Sequence, residues 1–164
     1  MRLDFQLSSE WNQRAASCDL AKADDSALRY DVFLGDLVFE LGDCDFSARW
    51  GWIPLLDLAY SLKDMCDRLL TGDPEATFEF TESDAWIKMS RKGDDVEVLA
   101  SHVSCTGRSR LSALCELVTA SGREFFAKVA ASHSELASNP AFARLRADVY
   151  RGPLLSQTRS NHPN

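Results

Sequence analysis

Between Phe78 and Ala100, apolar side chains recur at every second position in three consecutive stretches. Phe78 and Phe80 alternate with Glu79 and Thr81, and Ile87 and Met89 with Trp86 and Lys88. Val96, Val98 and Ala100 alternate with Glu97 and Leu99. A period of two places each apolar set on one face of a strand. Stretches this close in sequence must pair antiparallel, because a parallel pair needs a crossover of about a dozen residues. Residues 76–101 therefore predict a three-strand meander. Two-residue turns at Ser83-Asp84 and Lys92-Gly93 would set Phe80 against Ile87, Phe78 against Met89, Met89 against Val96 and Ile87 against Val98. One face is then wholly apolar. The other carries Glu79, Trp86, Lys88, Glu97 and Leu99, with Lys88 between two glutamates.

The same reading extends outward. Leu3, Phe5 and Leu7 alternate with polar residues and predict a strand, and residues 11–20 suggest a short helix. Leu28, Tyr30, Val32 and Leu34, then Leu37, Phe39 and Leu41, predict a hairpin over 28–41 that turns at Gly35-Asp36. Residues 42–53 read as a loop carrying Trp50-Gly51-Trp52. Pro54 suits the first turn of a helix running to Leu70. Leu55, Leu58, Leu62, Met65, Cys66 and Leu69 form the apolar stripe of that helix. Asp57, Asp64 and Arg68 fall on its polar side, Asp64 and Arg68 as an i,i+4 pair. A long helix is expected from Ser109 to about residue 137, with Gly122 on its apolar stripe. Asn139-Pro140 ends that element and starts another.

This order predicts an α+β domain over 1–151. Its antiparallel sheet of about five to six strands, hairpin plus meander, carries two or three helices on one face. Residues 152–164 read as a polar tail.

The net charge of −7 is unevenly spread. Residues 1–100 hold 21 acidic and 10 basic side chains, a balance of −11; residues 101–164 hold 4 and 8, a balance of +4. The acidic part would repel a phosphate backbone, which argues against nucleic acid as the partner. The same field steers a basic protein toward the chain. No apolar run approaches the roughly 20 residues of a membrane span. Asp4 interrupts the N-terminal residues where a secretory signal would be apolar, so a cytoplasmic protein is expected.

Chemistry-bearing residues are sparse. The five cysteines (Cys18, Cys44, Cys66, Cys105 and Cys115) are widely spaced, with no C-x-x-C pair. They read as reduced structural thiols, and no metal or cofactor is expected. His133 falls beside the apolar stripe of the long helix, and His162 lies in the tail. His102 and Cys105 are close, and Gly107-Arg108-Ser109-Arg110 at a helix start would suit an anion. A ligand or catalytic pocket near His102, Cys105, Arg108 and Arg110 is one alternative, although no orienting third group is apparent. Trp50 and Trp52 fit either a clamp over the edge of the core or a binding surface.

The run Trp52-Ile53-Pro54-Leu55-Leu56-Asp57-Leu58-Ala59 and the later Phe78-Glu79-Phe80-Thr81-Glu82-Ser83 resemble, in layout over 28–101, small bacterial single-domain proteins built of a hairpin, a helix and a meander. Some proteins of this size and acidity are immunity proteins of toxin systems. The resemblance implies a protein-binding module that occludes a basic toxin. It transfers no active-site residue, so no enzyme is implied. A homodimer pairing through the open sheet face or an edge strand is the remaining alternative.

Overall fold

The alternation of Leu3, Phe5 and Leu7 forms β1 (Arg2–Leu7), which pairs antiparallel with β2 (Leu34–Leu41) from Arg2↔Glu40 to Leu7↔Gly35. The structure, a computed structural model, describes residues 1–151, so the expected tail 152–164 and His162 lie outside the described residues. Between the two strands come α1 (Ser9–Ser17) and a π-helical segment, Ala27–Val32.

The hairpin expected over 28–41 does not form. Leu28 and Val32 are buried, while Tyr30 between them is exposed, so the apolar spacing is satisfied by a helical turn. Gly35-Asp36 runs inside β2. A β-carbon on Gly35 would lie 2.0 Å from the Gln6 carbonyl oxygen, so the glycine serves the close approach of β1 rather than a turn. The other edge of β2 is shared by β3 (Cys44–Asp45) and β4 (Ala48–Pro54), where a loop was expected.

Pro54 directly precedes α2 (Leu55–Thr71), which ends at Gly72 with φ +121°. Beyond it, β5 (Glu75–Glu79), β6 (Trp86–Lys92), β7 (Asp95–Ala100) and β8 (Val103–Arg110) form a second antiparallel sheet in sequence order. The meander is present with its register displaced: Phe78 faces Ile87 and Met89 faces Val98. Lys92 pairs with Asp95, so the tight turn is Gly93-Asp94, with Gly93 at φ +66°. Each displacement is two residues, which leaves every side chain on its expected face.

β8 replaces the helix start expected at 107–110. It carries exposed Ser104, Thr106, Arg108 and Arg110 and so offers no apolar alternation to read. The helix expected from Ser109 to 137 is α3 (Leu111–Ser132) followed by a 3-10 turn, Ser134–Ser138, and then α4 (Pro140–Tyr150). The fold is α+β and antiparallel as expected. It has two four-stranded sheets rather than one sheet of five or six strands.

Helices α2 and α3 pack on each other, α2 also against β5 and α3 against β1, and one buried cluster runs continuously from Leu3 to Val149. The sheets meet where Leu41 and Phe46 lie on the backbone of β8. A β-carbon on Gly107 would come within 2.7 Å of the Phe46 ring and 2.8 Å of Leu41. Gly122 plays the same part between helices, with Val149 2.9 Å from its β-carbon position. Buried Asn139 closes the C-terminal end. Its Nδ2 donates to the carbonyls of Leu20 (2.7 Å) and Ala23 (2.8 Å), and its Oδ1 accepts from the amides of Ala141 and Phe142 at the start of α4.

Gly35→Ala is expected to destabilise the domain by about 3 kcal/mol, because backbone rather than a flexible side chain occupies the space. Gly51→Ala, at φ +75° with nothing within 4 Å of its β-carbon position, should cost only about 1 kcal/mol of backbone strain. Urea unfolding of the two variants measures the difference.

Candidate protein-binding surfaces

Pairing β5 with β6 and β6 with β7 fixes where the outer residues of the second sheet fall. Glu79 lies opposite Trp86, Lys88 opposite Leu99, and Glu97 opposite Arg108 on β8. Glu79, Trp86, Lys88, Glu97 and Leu99 therefore share one face, as expected. Glu79 and Leu99 are exposed; Trp86, Lys88 and Glu97 are half-buried. Their charges are differently partnered than the sequence suggested. Lys88 bonds Glu75 at 2.6 Å, and Glu97 bonds Arg108 at 2.5 Å with Lys92 at 3.8 Å. Glu79 is in no ion pair among the described residues. Trp86, Leu99 and Glu79 form the part of this face whose chemistry is not consumed inside the chain.

The pocket considered around His102, Cys105, Arg108 and Arg110 is not assembled. Cys105 and Gly107 point to the core side of β8, while Arg108 and Arg110 point outward. Arg110 lies 3.5 Å from both Asp94 and Asp95, so the arginines expected to hold an anion are already answered by carboxylates. Cys105 is joined to Cys44 by a disulfide across a Cα–Cα distance of 5.9 Å. The expectation of five reduced thiols is thus corrected: Cys18, Cys66 and Cys115 are free. Hydrogen bonding with Cys115, and burial after it, push the Cys66 thiol up, which keeps it protonated and unreactive. His133, half-buried at the end of α3, meets Phe33 edge-on at the boundary of the core.

The two tryptophans of β4 owe their position to a bulge. Gly35 and Leu37 of β2, two steps apart, pair with Ile53 and Ala48 of β4, five steps apart. The surplus backbone, Arg49 to Trp52, is thrown out of the ladder. Asp36 pins it by accepting the Gly51 amide at 2.7 Å, and Gly51 supplies the positive φ. Trp50 turns inward, with ring centroids 4.9 Å from Phe80 and 5.2 Å from His102. His102 itself contacts the Phe46 carbonyl at 3.3 Å. Trp52 stacks on Trp50 at 5.1 Å and also lines a groove of about 430 Å³ beside α1 and the π-helical segment. Trp50 thus edges the core, as a clamp would, while Trp52 stacks on it and lines the groove.

The π-helical segment is moored by an ion pair. Arg29 donates to Asp57 through Nε at 2.8 Å and through a terminal nitrogen at 2.5 Å, and its guanidinium lies 4.6 Å over the Tyr60 ring. Asp57 is only 5% exposed, which corrects its placement on the polar side of α2. Arg68 bonds Asp73 at 2.8 Å, so the pair with Asp64 is corrected too. Burial, followed by the Asp57 charge, holds the neighbouring Tyr30 phenol above its ordinary range.

No family model, curated protein or solved structure matches this chain. The described residues contain no group of three or more His, Cys, Asp or Glu side chains placed to hold a metal. They also contain no helix long and apolar enough to cross a membrane.

Asp57→Ala should cost about 3 kcal/mol, since it leaves Arg29 without its buried partner. Replacing Cys44 and Cys105 together by serine should remove about 2–4 kcal/mol by freeing the intervening chain in the unfolded state. Denaturant midpoints of the purified variants check both values.

Proposed function

We propose that this chain is a protein-binding module whose second sheet covers a basic surface of a partner protein, in the manner of an immunity protein neutralising a bacterial toxin. The observation that carries the reading is the outer face of β5–β8. There Trp86 and Leu99 stand beside Glu79, whose carboxylate has no partner among the described residues. Tryptophan is among the residue types enriched at the hot spots of protein interfaces. The acidic balance of the first 100 residues would draw a basic partner toward that anchor before contact. Lys88 and Glu97, already paired inside the chain, fix the geometry of the face rather than recognise the partner.

A photoreactive residue placed at Leu99 should crosslink one defined, basic protein in the native cells. The same residue at Asp64, an exposed position of α2, should not. Glu79→Lys should slow association with the captured protein several-fold at low salt, with the difference shrinking as salt rises. Equal capture from both positions, or an association rate indifferent to the charge at 79, removes the reading.

A further inference from the structure

The groove beside the β4 bulge is a second surface, built from different elements. Helix α1 contributes Trp11 and Arg14, the π-helical segment Tyr30 and Asp31, the bulge Trp52, and the loop after β5 Glu82. We propose that this groove binds the guanidinium group of an arginine side chain presented by a partner protein.

The chemistry of the lining selects that group. Trp11, Tyr30 and Trp52 offer aromatic faces, on which a weakly hydrated planar cation is stabilised. Asp31 and Glu82 are exposed carboxylates that enter no ion pair among the described residues. Each can accept the paired N–H groups of a guanidinium. The chain already displays the contact: Arg14 holds its guanidinium carbon 3.8 Å over the Trp11 ring. Arg14 covers Trp11 and Arg29 lies 5.6 Å from the Tyr30 ring, so Trp52 is the lining ring with no cation of the chain over it among the described residues.

The site is also held in place before anything binds. Trp52 is backed by Trp50, which packs in turn on Phe80 and His102, and the Arg29–Asp57 pair fixes the segment carrying Tyr30 and Asp31. Such preorganisation lowers the ordering cost of binding. A protein-borne arginine suits the site better than a free small molecule, because the basic surface around it adds long-range attraction to the acidic part of the chain. Every lining residue also belongs to the first 100 residues, whose balance of −11 attracts a basic surface.

The four tryptophans give four indole N–H signals in a proton–nitrogen correlation spectrum. The full chain is titrated with a short capped peptide containing two arginines separated by glycine. The signals of Trp11 and Trp52 should move and saturate, while that of Trp86 stays fixed. The same peptide with lysine should bind at least about fivefold more weakly, because lysine cannot stack or bond in paired fashion. With citrulline, which keeps the shape and loses the charge, no shift should appear. Asp31→Asn and Glu82→Gln lie on the surface and should each weaken binding by about threefold or more.

Lysine binding as tightly as arginine, indifference to both carboxylate substitutions, or no movement at Trp11 and Trp52 each overturns the proposal. Movement at Trp86 alone would overturn the groove while leaving the open sheet face as the binding surface.

Discussion

The two sheets can touch because β8 has no side chain at one position. Gly107 lets the Phe46 ring and Leu41 rest on bare backbone, and any β-carbon there would hold them off. The contact brings β3 against β8, where the Cys44–Cys105 disulfide adds a covalent tie between the sheets. Phe46 packs on Phe39, and its carbonyl meets His102, which packs on Trp50. The seam thus reaches from the centre of the first sheet to the edge of the groove. Helices α2 and α3, which pack on each other and on β5 and β1, complete the join.

The parts of this arrangement that were legible in the sequence were those set by local periodicity. The alternation at Leu3–Leu7 and Phe78–Ala100 and the helical stripe of Leu55–Leu69 each survive in the fold, and even a two-residue slip of register kept the faces intact. What could not be read was set by partners far along the chain. Asp57 looked like a surface acid because Arg29, its partner, is 28 residues away. Leu28 and Val32 fit a strand as well as a helical turn, and only the burial of both with Tyr30 outside decides between them. β8 escaped notice because its inward positions are Cys105, Gly107 and Ser109, which carry too little apolar surface to show a pattern. Of the candidate site, the five residues of the open face followed from alternation alone. The groove did not, because it depends on a bulge in which five residue steps face two.

Charge is used differently on the two surfaces. On the open face most of it is spent internally, in the pairs Lys88–Glu75 and Glu97–Arg108, which leaves an amphipathic centre. Exposed pairs of this sort add little stability, but they hold the long side chains aside so that Trp86 and Leu99 stay accessible. Around the groove the carboxylates of Asp31 and Glu82 enter no ion pair among the described residues, while Trp52 is braced from behind by Trp50. A surface of the first kind recognises its partner through shape and apolar contact. One of the second kind reads a particular functional group.

The clamp at Asn139 has a consequence for the order in which the chain can fold. The carbonyls of Leu20 and Ala23 find their donor about 120 residues downstream, in the residue that also caps α4. During synthesis the loop after α1 must wait, with those groups facing water, until Asn139 has left the ribosome. The segment carrying Tyr30 and Asp31 follows that loop directly. The loop that leads into that segment is therefore made early and fixed late, when α4 docks.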